Sequence, residues 1–191
     1  MPRDDAQRWD QRYAQDERFA TFTEPRPFLV EQYTNLPQSG LVLDIAMGLG
    51  GNAAFLAEHG LRVIGVDISW VALTRAKARL PGLMALQADL PHLRLPLRLF
   101  DGIINFYFLR RELWGEFKRW LKPGGVLIFE TMTWNMLKIQ PEIDPAFLLE
   151  AGELRSAFQD WEIIYYREGR VINQRGHESA VASLVARRGS S

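Results

Sequence analysis

Leu41-Val42-Leu43-Asp44-Ile45-Ala46-Met47-Gly48-Leu49-Gly50-Gly51-Asn52-Ala53, followed at a strand-turn-helix interval by Val63-Ile64-Gly65-Val66-Asp67-Ile68-Ser69, decides how this chain is read. An apolar strand that runs into glycines and then a helix start lets backbone approach a ligand closely, because glycine has no side chain to block it. A second apolar strand ends in Asp67, a carboxylate able to accept hydrogen bonds from both hydroxyls of a ribose. Together they describe an adenosine-type cofactor site, with Ala46, Met47, Gly48, Gly50 and Asn52 in the loop and Asp67 and Ile68 at the second strand end.

Gly48-Leu49-Gly50-Gly51-Asn52-Ala53 also satisfies the G-x-G-x-x-G/A dinucleotide pattern. Three features favour S-adenosylmethionine. Asp44 precedes the glycines, where its charge suits the methionine ammonium and would repel a pyrophosphate. A third apolar segment, Leu83 to Ala88, ends in Asp89-Leu90, where a carboxylate and the next backbone N–H can read the amino group and a ring nitrogen of adenine. Leu121-Lys122-Pro123-Gly124-Gly125 then joins an amphipathic helix to the strand Val126 to Glu130, its proline and paired glycines stopping the helix and turning the chain tightly.

Along the chain, helices are expected over 4–17 and 28–36. Strand and helix then alternate: 41–46, 51–59, 62–66, 70–80, 83–88, 100–105, 111–121 and 125–131. Such alternation predicts a parallel sheet with helices on both faces. After an irregular stretch with Trp134, Pro141 and Pro145 come a helix near 152–158 and strands near 161–168 and 178–188, whose short Gly-containing connection makes the last strand antiparallel to its neighbour.

In that order these segments resemble class I S-adenosylmethionine-dependent methyltransferases over roughly residues 9 to 188, and within them the small tellurite-resistance-type and thiopurine-type enzymes. The likeness is carried also by Trp9-Asp10-Gln11-Arg12-Tyr13, Phe106-Tyr107-Phe108-Leu109-Arg110-Arg111, Phe129-Glu130-Thr131, Phe147 to Leu154 and Ala182 to Arg187. The wider superfamily has glycine at the position of Ala46 and often an acid at Leu49. The resemblance implies an α/β, Rossmann-like seven-stranded methyltransferase sheet, mostly parallel with an antiparallel last strand. It also implies one domain: a helical lid over 1–40, a cofactor-binding core over 41–131, and an acceptor-side loop, helix and C-terminal β-hairpin over 132–191. S-adenosylmethionine would be the cofactor and S-adenosylhomocysteine its product, with methyl transfer by direct in-line attack to a small-molecule acceptor.

The chain has 191 residues, 47% of them hydrophobic and 24% charged, with a net charge of +0, enough for a single sizeable core. Zero cysteines exclude disulfides, thiolate metal sites and cysteine nucleophiles. No histidine pair has metal-ligand spacing, so no metal is expected. Without an apolar leader, a long apolar run or long basic runs, the expectation is a cytoplasmic monomer or homodimer, with no membrane and no nucleic-acid partner.

Several candidates carry a plainer reading beside the functional one. Asp67 can cap the helix that begins near Ser69, and Asp89 can open the turn before Pro91. Asp44 is costly inside an apolar strand unless something pairs with it. Trp9 and Tyr13 can be core, or a lid over the cofactor as the resemblance implies. Arg12 can pair with the cofactor carboxylate. Asn105, Phe106 and Tyr107 fall at the carboxyl end of the fourth strand, where ligands bind in parallel sheets. Arg111 can pair with an anionic acceptor or face solvent, and His177 can reach the acceptor or sit in a solvated turn. Should the nucleophile need a base, Tyr107, His177 or a carboxylate such as Glu130 is on offer. A catalytically silent cofactor binder and a nicotinamide oxidoreductase are the competing readings, and the acceptor pocket is expected between the N-terminal segment and the loop carrying Trp134.

Overall fold

A computed structural model describes residues 2–16, 19, 22–173 and 175–189, with side chains described from residue 4. Runs of branched and aromatic residues form seven strands: β1 (Leu41–Ile45), β2 (Arg62–Asp67), β3 (Met84–Gln87), β4 (Phe100–Phe106), β5 (Leu121–Met132), β6 (Glu162–Ile172) and β7 (Glu178–Arg187). They form one sheet of order β3-β2-β1-β4-β5-β7-β6. β1 to β5 are mutually parallel, and β7 runs antiparallel to both β5 and β6. This is the Rossmann-like methyltransferase sheet. Its order reverses between β1 and β4, which opens a crevice at their carboxyl ends.

Side-chain alternation along the strands builds a core on each face. Leu43, Ile103, Leu127 and Leu184 pack with Phe117 and Trp120 on one face, while Val42, Ile104, Ile128 and Val185 pack with Leu56 and Leu73 on the other. Among the described residues the α-helices are α1 (Pro2–Gln15), α2 (Pro27–Gln32), α3 (Gly51–Glu58), α4 (Trp70–Arg79), α5 (Trp114–Trp120) and α6 (Glu153–Ala157). Among the described residues no helix is long and apolar enough to cross a membrane.

Two boundaries differ most from the sequence-based expectation, and a third cannot be compared. Residue 17, the expected end of the first helix, lies outside the described residues. The Pro-Gly-Gly segment is not a free turn: α5 stops at Trp120, Leu121 already pairs with Phe100, and the register shifts before Val126 pairs with Gly102, so residues 122–125 bulge out of β5. β6 runs on to Ile172 instead of stopping near 168, because the turn lies further along. Asn173 Oδ1 accepts from the backbone N–H groups of Arg175 and His177 and Gly176 takes φ 74°. Gly169, read as part of the connection, is paired strand opposite Val181.

Candidate active site

The β1–α3 loop is shaped by alternate left-handed residues: Ala46 at φ 51°, Gly48 at 59° and Gly50 at 75°. Glycine takes that conformation freely, whereas Ala46 holds it at about 1 kcal/mol of strain. The Met47 N–H donates to Val66 O at 3.0 Å. Its side chain turns down against Gly65, where a Cβ would collide with it, so only the Met47 backbone faces the crevice. From α4, Arg79 donates to Leu49 O at 2.8 Å and holds the loop from outside.

Asp44 and Asp67 lie beneath this loop, both buried. Asp67 does not cap α4; Ser69 does, accepting from Ala72 N–H at 3.1 Å. Instead, the two Asp67 oxygens accept one amide each, from Gly48 at 2.7 Å and from Ser69 at 2.8 Å, tying the glycine loop to the end of β2. Every carboxylate oxygen has a second lone-pair direction, so acceptor capacity for ribose hydroxyls remains. Burial raises the Asp67 pKa, and its backbone N–H donors oppose the rise.

Asp44 is different. It is 1% exposed and its Oδ2 has no hydrogen-bond partner. Burial first, and then the nearby Asp67 charge, push its pKa well above 3.8, while the Arg26 charge pulls the other way. A buried carboxylate with an orphan oxygen is expensive, and a cationic ligand group would satisfy it. An ammonium there, with a ribose above Asp67, fits S-adenosylmethionine; a pyrophosphate does not. Asn105, 1% exposed at the end of β4, has its Oδ1 unpartnered as well.

The N-terminal segment covers the loop. Asp10 accepts from Ser69 Oγ at 2.6 Å and Val71 N–H at 3.0 Å, which docks α1 on the start of α4. Tyr13 is buried, with its hydroxyl against Gly48 and its carbonyl accepting from Arg75. Its phenol pKa is raised by burial first and then by the Asp67 charge. Trp9 is half-buried, 6.0 Å from the Tyr13 ring. Exposed Arg12 stacks on Trp9 at 5.0 Å.

Beyond the end of β4, Phe106 is buried and Tyr107 takes φ 56°, held by its N–H donating to Glu130 O at 2.9 Å. A bulky residue in that region is strained, and the strain aims the phenol at Glu130, with Tyr107 Oη 3.5 Å from Oε1. Glu130 is 4% exposed, and its Oε2 accepts from Ser183 Oγ at 2.7 Å. Burial raises the pKa of both Glu130 and Tyr107. The Arg26 guanidinium lies 4.6 Å from the Tyr107 ring centroid, and Arg167 lies 4.0 Å from Glu130 Oε2. These groups line a cavity of about 220 Å³, walled by the start of α2 and the end of β6.

Other candidates are placed elsewhere. Asn52 Oδ1 accepts from the Arg26 N–H at 2.9 Å, so it anchors the segment before α2. Asp89 pairs with His92 at 2.7 Å at the surface, while Ala88 N–H donates to Asp67 O and Leu90 is buried. The Ile68 carbonyl accepts from Gln87 Nε2 at 3.1 Å. Arg111 is committed to Glu153, through both carboxylate oxygens, and to Leu148 O at 3.0 Å. His177 is exposed in the β6–β7 turn and Trp134 is 47% exposed; neither they nor Arg111 line the cavity. The far wall of this cavity is therefore the end of β6, not the loop carrying Trp134.

Residues 42–125 match the model of a methyltransferase domain family. A probable S-adenosylmethionine-dependent methyltransferase of Mycolicibacterium smegmatis is 30% identical over 159 residues, 78% of this chain and 60% of that protein. Residues 42–125 thus carry the methyltransferase domain of the S-adenosylmethionine-dependent methyltransferases. It spans 60% or less of the length of the first curated relatives it matches. Two solved structures share its fold. One, reported for conversion of a disulfide bond into a thioacetal group during echinomycin biosynthesis, has TM-score 0.78 and 20% identity, covering 97% of this chain and 92% of that one. TehB from Haemophilus influenzae has TM-score 0.72 and 16% identity, covering 94% and 66%.

Sequence reasoning passed over Asp10, Arg26, Arg167 and Arg170. Arg26 had a signal, since Pro25 and Pro27 on either side restrict the backbone that carries it. Arg167 fell inside the expected strand but nothing in its spacing marked the face it presents, and Arg170 lay beyond the strand's expected end.

Proposed function

We propose that this protein is an S-adenosylmethionine-dependent methyltransferase acting on a small molecule held against Tyr107 and Glu130. The observation that carries this reading is the Asp44 carboxylate, buried beneath the glycine loop with its Oδ2 unpartnered. Asp44 holds the methionine ammonium, Asp67 the ribose hydroxyls and Tyr13 closes the loop from above, with Trp9 and Arg12 flanking it. Asp89 and the Leu90 N–H are the adenine-reading pair, from which the ligand displaces His92.

When bound, the cofactor would supply a methyl group already activated on sulfur and would leave as S-adenosylhomocysteine. The chain has to position the acceptor and exclude water. Tyr107 forms a wall of the cavity, and Glu130, with its pKa raised by burial, takes a proton from acceptors that must lose one.

Calorimetric titration tests the reading. S-adenosylmethionine and S-adenosylhomocysteine should both bind and raise the melting temperature, and NAD should not. Tight NAD binding with none for the sulfur ligands overturns it; binding without turnover on any acceptor would leave a cofactor binder, not an enzyme.

A further inference from the structure

The cavity beside Tyr107 is ringed by guanidinium groups. Arg26 enters from the start of α2, and Arg167 and Arg170 from β6. Arg175 stacks on Phe22 at 4.0 Å, on a ring that Arg26 also approaches at 4.8 Å. The carboxylates present do not balance them evenly. Glu178 occupies Arg170 at 3.0 Å, Glu31 is exposed at the rim, and Glu130 already accepts from Ser183 and faces Arg167 only at 4.0 Å. Among the described residues no carboxylate lies within ion-pair distance of Arg26, and the Arg167 Nε is buried without a partner. Like charges gathered in a half-buried space repel one another unless an anion joins them. The remaining wall is apolar: Pro27, Phe28, Val171 and Ile172.

We infer that the cavity binds a small organic anion, an apolar body against Phe28 and Val171 with its carboxylate or similar oxyanion held by Arg26 and Arg167. This deepens the proposed function and rests on it for one point, that the bound anion is the methyl acceptor. Guanidinium groups suit the role because their planar donors pair with oxyanions two bonds at a time. Arg26 also lies close enough to Asp44 and Tyr13 for the charges to be felt. It therefore stands between the cofactor loop and the cavity, where an anchor can hold the acceptor beside the methyl group.

The test measures binding of benzoate, phenyl phosphate and neutral benzamide to the whole protein, with and without saturating S-adenosylhomocysteine. Wild type, Arg26→Gln and Arg167→Gln are compared, and affinity for S-adenosylhomocysteine is measured on each as a control for folding. One or both anions should bind wild type at least tenfold more tightly than benzamide. Each substitution should weaken the anion at least tenfold, and Arg167→Gln, remote from the cofactor loop, should change S-adenosylhomocysteine affinity less than twofold. Benzamide binding as well as the anions, anion affinity unchanged by both substitutions, or no anion binding at all overturns the inference. So does an Arg26→Gln variant that loses S-adenosylhomocysteine instead, which would make Arg26 a cofactor ligand. If wild type binds the anions but never S-adenosylhomocysteine, the anion site stands and the proposed function fails.

Discussion

The phenol oxygen of Tyr13 stands 2.6 Å from the point where a Cβ on Gly48 would lie. That closeness joins α1 to the glycine loop and gives Gly48 two constraints at once, a left-handed backbone at φ 59° and no room above it. Gly48→Ala should therefore weaken S-adenosylhomocysteine at least tenfold, about 1.4 kcal/mol, by strain and by displacing the tyrosine. Tyr13→Phe removes the clashing atom. In calorimetry the double variant should bind better than the product of the two single effects; strictly additive effects would mean that the two residues do not meet.

Asp67 has a structural task as well as a ligand to hold. Asp67→Ala removes acceptors from the buried Gly48 and Ser69 amides, and buried hydrogen bonds to a charged group are worth about 1.5–3 kcal/mol each. Urea denaturation should show the variant destabilised by about 2–3 kcal/mol, together with loss of cofactor affinity. A variant with full stability and lost affinity would show that the amides find other partners.

For acceptors that must lose a proton, the rate should follow Glu130. Its pKa is raised by burial, with Ser183, Arg167 and Arg26 opposing the rise, so the base form appears only as pH climbs through that raised value. The acid limb of kcat against pH should be lost in Glu130→Gln, and kcat itself should fall by roughly 10²–10⁴. An unchanged pH profile would remove Glu130 from the proton's path.

Much of this was legible in the chain. Asp44, Gly48 and Asp67 are set by local order, a strand into a tight loop and a strand ending in an acid, so sequence spacing alone brings them together. Arg111 shows the limit of that logic. It follows a suitable strand end, yet Glu153 takes its donors through both carboxylate oxygens, and such pairings depend on side-chain directions that spacing does not carry. The arginine ring was hidden for another reason. Arg26 and Arg167 line one cavity because β7 inserts between β5 and β6, and Arg170 joins them because β6 runs on to Ile172, past the strand end expected near 168.

Asp44 offers the most direct test of the cofactor site. Burial and the Asp67 charge raise its folded pKa well above the ordinary 3.8. A raised folded pKa contributes stability that is fully present below the unfolded value and lost as pH rises through the folded one, so the ligand-free protein is less stable for having Asp44 at neutral pH than in acid. Asp44→Asn should thus melt higher than wild type at pH 7, by about 1–2 kcal/mol on the scale of a buried unpaired polar group. The gap should close as pH falls below the ordinary carboxylate range. Binding reverses the preference, because the ligand ammonium favours the ionised carboxylate. Near the raised pKa, S-adenosylhomocysteine should release protons on binding to wild type, read as a dependence of calorimetric heat on the buffer's ionisation enthalpy. Asp44→Asn should bind more weakly and release none. Equal proton release by both proteins would place the titrating group elsewhere and leave the ammonium without its partner.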